Sequence, residues 1–522
     1  MLRTSLLLSL LAFGFGRQEP LPPLKPVLES ITIEECESLV QVLAGPAMMG
    51  RATPSAGLDK AAAFVEEQLQ SLGLEPAGPD GSYRLPYDLP CLVPAEGTAM
   101  SWAFPGKEAA TLKVGADFVP IAGSKEASAR GEAVFAGFAI QAPKERWKDL
   151  DPRKIRDKVV FAFTGEPREN DPKFRGFEGA DPSKYGSILH KIQAVAEAGA
   201  AALVLVPDPH RYPEHDGPMD GVAPYGLREG IRAEQISRIS RWPKIPVFSA
   251  SRKVASEIFG TDMEAHFASL NKKKKSKLLE PKKMVEVALS AAWEGKNLSY
   301  YNLAARLPGT DGDGEVVILG AHLDHVGNNL GPAIFGMGSQ AIHPGADDNA
   351  SGSAALLETA QALASLKPKE DILFLWFTGE EIGLRGSMAY CRDPLYPHDK
   401  TIGMLNMDMV GRGDRKKMNI GGLWSRPEWA KLVKAQAKRA KIRLKLDLNQ
   451  GRDLYARSDQ YAFHRQDVPA LFFFEADLND NKVYHQPGDV PETIDARKMT
   501  EITKLFTATA FALAVEGERP AR

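Results

Sequence analysis

The chain has 522 residues, 43% of them apolar and 25% charged, and its formal net charge is −2, with 65 Lys and Arg against 67 Asp and Glu. This composition excludes disorder for most of the chain and argues against nucleic-acid binding through an overall positive charge. Three cysteines in this length exclude a scaffold held by disulfides, so we expect buried structural thiols at Cys36, Cys91 and Cys391.

The N-terminal segment has the pattern of a secretory signal peptide. Arg3 precedes an apolar run over 6–15, and Gly14 and Gly16 are small residues in front of a cleavage point. The run is shorter than the roughly 20 residues that cross a membrane, and no later stretch is apolar enough to cross one. We predict a signal peptide over 1–16, no transmembrane segment in the mature chain, and export to the periplasm or the cell exterior.

Two helices are predicted after a Pro-rich linker over 17–30. Thr32 and Glu35 have the spacing of a capping box, which predicts that a helix begins there. Apolar residues at helical spacing predict a second helix over 58–72, and Gly73 is its expected end.

Residues 117–283 have a different character and are predicted to form a separate β-rich domain. Short apolar runs between Gly- and Pro-rich turns are typical of strands. These runs lie at 133–138, 158–163, 202–206 and 245–248, with one helical stretch near 191–198. A basic run over 272–275 has no interleaved aromatic residues, so we interpret it as a solvated segment between domains and not as a nucleic-acid site.

From residue 285 onward, apolar strands alternate with helices, which is typical of a three-layer α/β/α domain. The predicted strands lie at 316–321, 371–377, 402–407 and 469–474. The predicted helices lie at 351–366, 426–441 and 496–515. The runs ILFLWF and ALFFF are apolar throughout, so we expect a sheet that is covered on both faces.

Acids and histidines follow these strands, where the ligands of an α/β sheet gather. They are His322, Asp324, Asp347, Asp348, Glu380, Glu381, Asp408 and His485. Each has an ordinary structural explanation as well: the Glu-Glu pair fits a helix N-terminus, the Asp-Asp pair fits a helix cap, and a loop histidine can be satisfied locally. Their joint occurrence at strand ends favours a single site. His325 and His343 are near these residues in sequence and receive lower weight.

Two neutral imidazoles with several carboxylates suit a borderline divalent cation such as zinc. The number of donors fits two ions better than one, since each ion then has a histidine and a carboxylate, and one carboxylate bridges them. The predicted ligands are His322, Asp347, Glu381, Asp408 and His485. Glu380 is left as a free carboxylate beside them, and Asp324 is placed to orient the His322 imidazole.

Five motifs resemble those of the co-catalytic di-zinc aminopeptidases, whose wider family includes glutamate carboxypeptidases and transferrin-receptor-like proteins. The motifs are GAHLDHVG, HPGADDNASGSAALLE, LWFTGEEIGLRGS, LNMDMVGR and VYHQPGD. The early segment that begins LAGPAMMGRATPSAG is similar to the start of that family's catalytic domain, and the β-rich segment resembles the protease-associated domain inserted in some members. The resemblance implies a catalytic domain in two parts, 31–116 and 284–516, around an inserted domain at 117–283.

The resemblance also implies how the metal ions are divided among the ligands. His322 and Asp408 would bind one zinc ion, and Glu381 and His485 would bind the other. Asp347 would bridge the two ions. Other divalent metals fit the same donors.

Four further residues receive roles from the resemblance. Glu380 would be the general base, and Tyr484 would stabilise the oxyanion. Asp324 and Asp348 would support the ligands without binding metal, and a cis peptide bond would join Asp347 to Asp348.

The implied function is that of an exported zinc-dependent exopeptidase, most simply an aminopeptidase acting on peptides or proteins. A carboxypeptidase or dipeptidase of the same fold needs a cation for the terminal carboxylate of the substrate, and Arg385, Arg412 or Arg457 could supply it. A glutaminyl-cyclase-like enzyme shares the fold, but the complete ligand set favours hydrolysis. A non-catalytic receptor-like binding protein predicts lost ligands, whereas all the predicted ligands are present. Nothing in the sequence indicates the oligomeric state.

Overall fold

A computed structural model describes residues 22–121, 127–145, 147–168, 184–186, 188–209, 217–218, 223–224, 245–271, 278–327, 342–424, 426–448, 454–474 and 481–521. The predicted signal peptide and the basic run at 272–275 lie outside these residues, as does the side chain of Cys91.

The strands of the described residues are β1 (Glu75–Pro76), β2 (Arg84–Pro94), β3 (Ala99–Ala103), β4 (Ala110–Thr111), β5 (Phe118–Pro120), β6 (Ala127–Phe135), β7 (Gln141–Ala142), β8 (Trp147–Lys148), β9 (Val159–Phe163), β10 (Ala202–Val206), β11 (Ala223–Pro224), β12 (Val247–Ala250), β13 (Glu286–Ala291), β14 (Trp293–Leu307), β15 (Val316–His322), β16 (Asp371–Phe377), β17 (Thr401–Met407), β18 (Lys417–Gly421), β19 (Lys445–Asp447) and β20 (Ala470–Phe474).

The helices are α1 (Leu24–Glu29), α2 (Ile33–Leu43), α3 (Ala56–Ser71), α4 (Pro152–Ile155), α5 (Ile188–Glu197), α6 (Arg252–Phe259), α7 (Met263–Asn271), α8 (Gly352–Leu363), α9 (Arg385–Arg392), α10 (Pro427–Arg439), α11 (Gln460–His464) and α12 (Ala496–Ala514). Short 3₁₀ turns lie at Pro46–Met48, Pro79–Gly81, Pro143–Glu145, Lys184–Gly186, His398–Lys400, Tyr455–Arg457 and Pro491–Thr493.

The larger of two main sheets has the strand order β11-β2-β14-β16-β15-β17-β20-β18-β19, with β1 paired to β14. Its centre is parallel, because β16, β15, β17 and β20 run side by side in one direction. On one side β2 and β14 form a long antiparallel ribbon, and on the other side β18 is antiparallel to β20. The carboxyl ends of the four central strands therefore meet at one edge of the sheet.

Helices cover both faces of this sheet. Val317 and Leu319 of β15 point into a core shared with α2, α3, α8 and α12. Ile318 of the same strand lies in a second core, with Tyr390 of α9 and Phe463 of α11. Successive strand residues point to opposite faces, so the arrangement is the three-layer α/β/α domain expected from the apolar strands.

The second main sheet has the order β4-β3-β13-β6-β9-β10-β12-β5 and forms the β-rich unit that the sequence predicted. Strands β6, β9, β10 and β12 are parallel to one another, and the outer pairs are antiparallel. Because β3 and β13 belong to this sheet, its strands extend from 99 to 291 and beyond the expected limits of 117–283. That this unit is a protease-associated domain stays a prediction.

Most other predicted elements lie within a few residues of their expected bounds. Thr32 Oγ1 accepts the Glu35 N–H at 3.2 Å and donates to the Glu35 carboxylate at 2.8 Å, so the predicted capping box opens α2. The helix expected at 58–72 is α3, and Gly73 follows it with φ of +70°. Cys36 and Cys391 are buried free thiols, as expected.

The segment predicted as a linker at 17–30 departs from that expectation, because residues 24–29 form α1. Leu24, Val27 and Leu28 of this helix are buried against the main core. Pro23 and Pro26 are tolerated there because the first N–H groups of a helix have no partner within it. Among the described residues, no helix combines the length and the apolar character needed to cross a membrane.

Candidate metal centre

The predicted acids and histidines converge at the carboxyl edge of the central parallel strands. His322 is the last residue of β15, and Asp408 directly follows β17. Glu381 follows β16, and His485 lies in the loop between β20 and α12. Asp348 lies in an irregular turn over Ala346–Ser351, just before α8. The parallel topology therefore gathers residues that are far apart in the sequence.

One group of metal-ligand types consists of His322, Glu380 and Asp408, whose donor atoms lie within 4.8 Å of one another. His322 Nε2 is 3.3 Å from Asp408 Oδ1. The other ring nitrogen, Nδ1, is 3.0 Å from the carbonyl oxygen of Asp324. A proton on Nδ1 satisfies that contact and leaves Nε2 as an electron-pair donor toward Asp408.

A second group consists of His325, Asp348, Glu381 and His485, again with donor atoms within 4.8 Å of one another. His485 Nε2 is 2.9 Å from Asp348 Oδ2 and 3.0 Å from Glu381 Oε2. These side chains are almost completely buried, so their charges are poorly screened by water.

Asp348 lies between the two groups. Its Oδ1 is 3.4 Å from His322 Nε2, and its Oδ2 is 2.9 Å from His485 Nε2. The family resemblance implied this central position for Asp347 and a supporting role for Asp348, whereas in the structure the central residue is Asp348. The non-proline cis peptide bond likewise joins Asp348 to Asn349, and not Asp347 to Asp348.

The Asp347 side chain points away from both groups and is held in the fold. Its Oδ1 accepts the N–H of Gly411 at 2.8 Å and the hydroxyl of Ser351 at 3.3 Å. Asn349, in the same turn, also binds the segment that follows Asp408, because its Oδ1 accepts the N–H of Met409 at 3.1 Å. The turn before α8 thereby holds the chain just after Asp408.

His325 received low weight from the sequence, but the structure places it inside the second group. Its Nδ1 is 2.7 Å from Glu381 Oε1, and burial lowers the pKa of His325 to about 3. The ring is therefore neutral, and its Nδ1–H donates to Glu381, which fixes the orientation of that carboxylate. Its spacing of three residues from His322 was the signal available in the sequence.

Glu380 and Asp324 are linked through a backbone contact. The Glu380 N–H donates to Asp324 Oδ1 at 3.2 Å, so the Asp324 side chain holds the turn that carries Glu380. Asp324 Oδ1 is 3.8 Å from His322 Nδ1, and the closer contact to that ring is the Asp324 carbonyl. Burial raises the pKa of Glu380 well above its usual value; His322 opposes the rise and Glu381 reinforces it.

The donors fit a bound cation. His322 Nε2 and Asp408 Oδ1 are both buried, and neither has a hydrogen-bond partner among the described residues. Two facing acceptors are costly to bury unless a positive charge lies between them. Burial alone lowers the pKa of a histidine, yet facing Glu381 and Asp348 raise the pKa of His485 to about 11. A positive charge therefore stabilises the site, and its nitrogen and oxygen donors suit zinc.

A cleft opens over the two groups. Its lining residues are Asp348, Glu380, Asp408, Met409, Leu454, Arg457, Ser458, Phe472, Phe474 and Tyr484. Met409, Leu454, Phe472 and Phe474 line the same cleft as the carboxylates, so part of the cleft is apolar. Phe463, in contrast, is a core residue packed between Phe377 and Tyr390.

Tyr484 lies at this cleft, and its ring stacks on His485 with centroids 3.9 Å apart. Burial raises the pKa of Tyr484, so its hydroxyl keeps its proton at neutral pH. The hydroxyl oxygen accepts a hydrogen bond from Arg457 at 3.2 Å. The role predicted for Tyr484 at an oxyanion stays a prediction.

The three arginines considered for substrate binding have different surroundings. Arg457 lines the cleft. Arg412 forms an ion pair with Asp489 at 2.7 Å, and Arg385 Nε donates to the carbonyl of Ile382. Only Arg457 is therefore placed to meet a substrate in the cleft.

Comparison with known proteins places the centre within a recognised family segment. Residues 302–510 match the model of Peptidase family M28, and this range contains both metal-ligand groups. A "Probable leucine aminopeptidase" of Arthroderma otae is 34% identical over 210 residues, which are 38% of this chain and 54% of the relative. A protein of the same description from Arthroderma benhamiae is 33% identical over 208 residues, again 54% of its length. The chain thus spans about half the length of the curated relatives it matches.

Two solved structures are also similar. An aminopeptidase from Aneurinibacillus sp. strain AM-1 has a TM-score of 0.49 and 19% identity, covering 96% of this chain and 98% of that one. A zinc aminopeptidase from Bacillus subtilis has a TM-score of 0.48 and 17% identity, covering 94% and 96%.

Proposed function

We propose that this chain, whose residues 302–510 match Peptidase family M28, is a zinc-dependent aminopeptidase that removes N-terminal residues from peptides and proteins. The observation that carries the proposal is the Asp348 carboxylate, which faces His322 with one oxygen and His485 with the other. One carboxylate between two groups of ligands is the arrangement that two metal ions share. The names of the relatives supply the reaction class.

In this proposal, His322 and Asp408 would hold one zinc ion, Glu381 and His485 would hold the other, and Asp348 would be shared between them. When bound, such a pair of ions acts as a Lewis acid toward a carbonyl oxygen and toward water. The neutral His325 ring keeps the Glu381 carboxylate oriented through its Nδ1–H.

Glu380 moves the protons of the reaction. Its carboxylate lies beside His322 and Asp408, and the two ions already have five other ligands. It accepts a proton from the attacking water on a carboxylate oxygen and returns that proton to the nitrogen of the leaving amine. A carboxyl group with a raised pKa suits this work, because it takes a proton from water more readily than an ordinary carboxylate does.

Tyr484 stabilises the negative charge that develops on the carbonyl oxygen of the substrate. Its protonated hydroxyl donates a hydrogen bond to the oxyanion of the substrate, and the contact from Arg457 strengthens that donor. The apolar side of the cleft, with Met409 and Phe472, accepts the side chain of the N-terminal residue. We therefore expect apolar N-terminal residues such as leucine to be preferred.

A carboxypeptidase or dipeptidase is the second candidate, and one observation favours it. Arg457 lies at the cleft and has no ion-pair partner among the described residues, so it could bind a carboxylate of the substrate. A binding protein without catalysis is disfavoured because both ligand groups and Glu380 are complete.

We also propose export of the chain. Residues 1–16 have the charge, apolar run and small residues of a signal peptide. Expression with and without these residues, followed by fractionation, tests this part separately. Retention of the full chain in the cytoplasm would contradict it.

The function is tested on the chain from residue 17 onward. We expect two zinc ions per chain by elemental analysis, and hydrolysis of leucyl-arylamide that a chelator abolishes and zinc restores. Acetyl-leucyl-arylamide should not be cleaved, because an aminopeptidase needs the free amine. Cleavage of N-blocked peptides from their carboxyl end would instead support the carboxypeptidase, and absence of any bound divalent metal would reject the whole proposal.

A further inference from the structure

A completely buried arginine, Arg51, lies beneath the metal centre in the segment that follows the first 3₁₀ turn. Its guanidinium group donates only to backbone carbonyl oxygens in the hydrogen bonds found for it. Nε donates to Leu323 at 2.8 Å, Nη1 to Pro344 at 2.8 Å and to Leu43, and Nη2 to Gly345 at 2.9 Å. Burial of a charged side chain is costly unless its donors are hydrogen-bonded. These contacts therefore hold the backbone segments at a fixed separation.

The segments that Arg51 joins carry ligands on opposite sides of the centre. Leu323 directly follows His322, and Pro344 and Gly345 lead into the turn that contains Asp348. In the chain these segments are separated by 328–341, which lies outside the described residues. Among the described residues, the guanidinium group links the end of β15 directly to the turn before α8.

The backbone around Arg51 adds further contacts to the same segments. The Arg51 carbonyl accepts the N–H of His325 at 3.0 Å, and the Gly50 carbonyl accepts the N–H of Gly327 at 2.9 Å. Thr53 Oγ1 accepts the N–H of Gly379 at 2.9 Å, just before Glu380. Three of the loops that build the centre are therefore fastened to residues 50–53.

The backbone of Arg51 itself is in the left-handed region, with φ of +51°. This conformation is uncommon for a residue with a side chain, and surrounding contacts must hold it. Here the carbonyl of Arg51 is held by His325 and the side chain by Leu323 and Gly345.

We propose that Arg51 is a positioning residue for the metal centre: its guanidinium group sets the separation between the His322 strand end and the Asp348 turn, and so sets the affinity for the metal ions. This inference rests on the proposed zinc-dependent function. It assigns the N-terminal segment of the domain to the centre, although none of the ligands lies there. A lysine cannot replace the arginine, because the N–H donors of an ammonium group leave from one atom, whereas the guanidinium reaches four carbonyl oxygens from three nitrogen atoms.

The test compares Arg51→Lys with the unmodified chain in zinc titrations of the metal-free protein. We expect Arg51→Lys to bind zinc about 10- to 100-fold more weakly, as is common when a partner of a metal ligand is removed. Activity measured at saturating zinc should recover most of its wild-type value, which separates a lost position from lost chemistry. Arg252→Lys is the matched control, because Arg252 is a buried arginine on α6, a helix packed against the second main sheet, and the zinc affinity of this variant should be unchanged.

If Arg51→Lys does not fold without metal, the folded fraction is measured against zinc concentration. A midpoint shifted to at least about tenfold higher zinc supports the proposal. An unchanged zinc affinity, or failure to fold at any zinc concentration, overturns it, since the residue then serves nothing specific to the centre. Absence of zinc binding by the unmodified chain rejects the proposed function itself and is seen before any variant is made.

Discussion

The β-rich unit and the larger sheet both have buried charged side chains, but the hydrogen bonding of these side chains differs. In the β-rich unit, just after β8, Asp149 Oδ2 accepts the N–H groups of Phe138 and Ile140, and its Oδ1 accepts Trp147 Nε1–H. In the larger sheet, His322 Nε2 and Asp408 Oδ1 face each other without a hydrogen-bond partner.

Burial of a charge therefore does not identify a functional site by itself. A buried carboxylate whose acceptors are filled by N–H donors stabilises the fold. Facing acceptors with no donor between them are costly to the fold unless a ligand binds. Substitutions of buried carboxylates in the two regions test this distinction.

The largest effect is expected for Glu380→Gln. We expect kcat on leucyl-arylamide to fall by about 10²- to 10⁴-fold, because an amide cannot accept the proton that a general base must take. Bound zinc, measured by elemental analysis, should stay the same. Glu358→Gln is the matched control, since Glu358 is a buried glutamate on α8 away from the cleft, and its kcat should be unchanged. Wild-type turnover by Glu380→Gln would contradict the role of that residue.

A second comparison separates two neighbouring aspartates. We expect Asp348→Asn to weaken zinc binding by more than about 100-fold, because it removes a carboxylate that faces both groups. Asp347→Asn should bind zinc nearly as well as the unmodified chain, since the amide oxygen can still accept the Gly411 N–H. Zinc titration of both variants decides the matter. The reverse result would return the central position to Asp347.

A third prediction concerns Asp149 of the β-rich unit. We expect Asp149→Asn to lower the free energy of unfolding by about 1–3 kcal/mol, because an amide leaves at least one of three N–H donors without an acceptor. Urea denaturation measures this loss. Zinc content and kcat of the folded variant should not change. A selective loss of zinc would mean that Asp149 has more than a structural role.

The smallest effect is a pH-dependent gain in stability from Glu358→Gln. Burial raises the pKa of Glu358 to about 7, and Glu35 adds to the rise. The folded chain thus binds this proton more tightly than the unfolded chain, so the stability contribution is largest below about pH 4 and is lost as pH rises toward 7.

Because glutamine is neutral at every pH, Glu358→Gln removes the loss of stability that occurs as the pH rises. Its melting temperature should exceed that of the unmodified chain at pH 8 and match it at pH 4. Both are measured in chelator, so that metal release does not contribute. An equal difference at the two pH values would show that Glu358 is not protonated in the fold.

The sequence located the strands and helices of the larger domain well, for a simple reason. Runs such as DILFLWF form β16, because a strand covered on both faces is apolar at every position. The order of these strands then places His322, Glu381 and Asp408 at one edge of the sheet. Because parallel strands end at the same edge of a sheet, the residues that gather there can be predicted from the sequence alone.

The sequence could not decide which of two adjacent aspartates faces the metal-ligand groups. Periodicity fixes side-chain direction only in regular elements, and Asp348 and Asn349 have φ and ψ outside the helical region. The range predicted for the β-rich unit, 117–283, was also too short, because β3 and β13 lie outside it. Strand β2 continues straight into the segment before β3, and β13 leads directly into β14, so composition shows no boundary there.

The residue types and their positions after apolar strands predicted the metal-ligand groups, the strands and helices of a three-layer domain, and a separate β-rich unit. The folded chain was needed to show that Asp348 lies between the two groups, that the His325 ring contacts Glu381, and that Arg51 links the strand end to the turn. The physical reason is that these choices depend on contacts between segments far apart in the chain. Local patterns determine which elements form, whereas the direction of a side chain in an irregular turn is set by what packs against it.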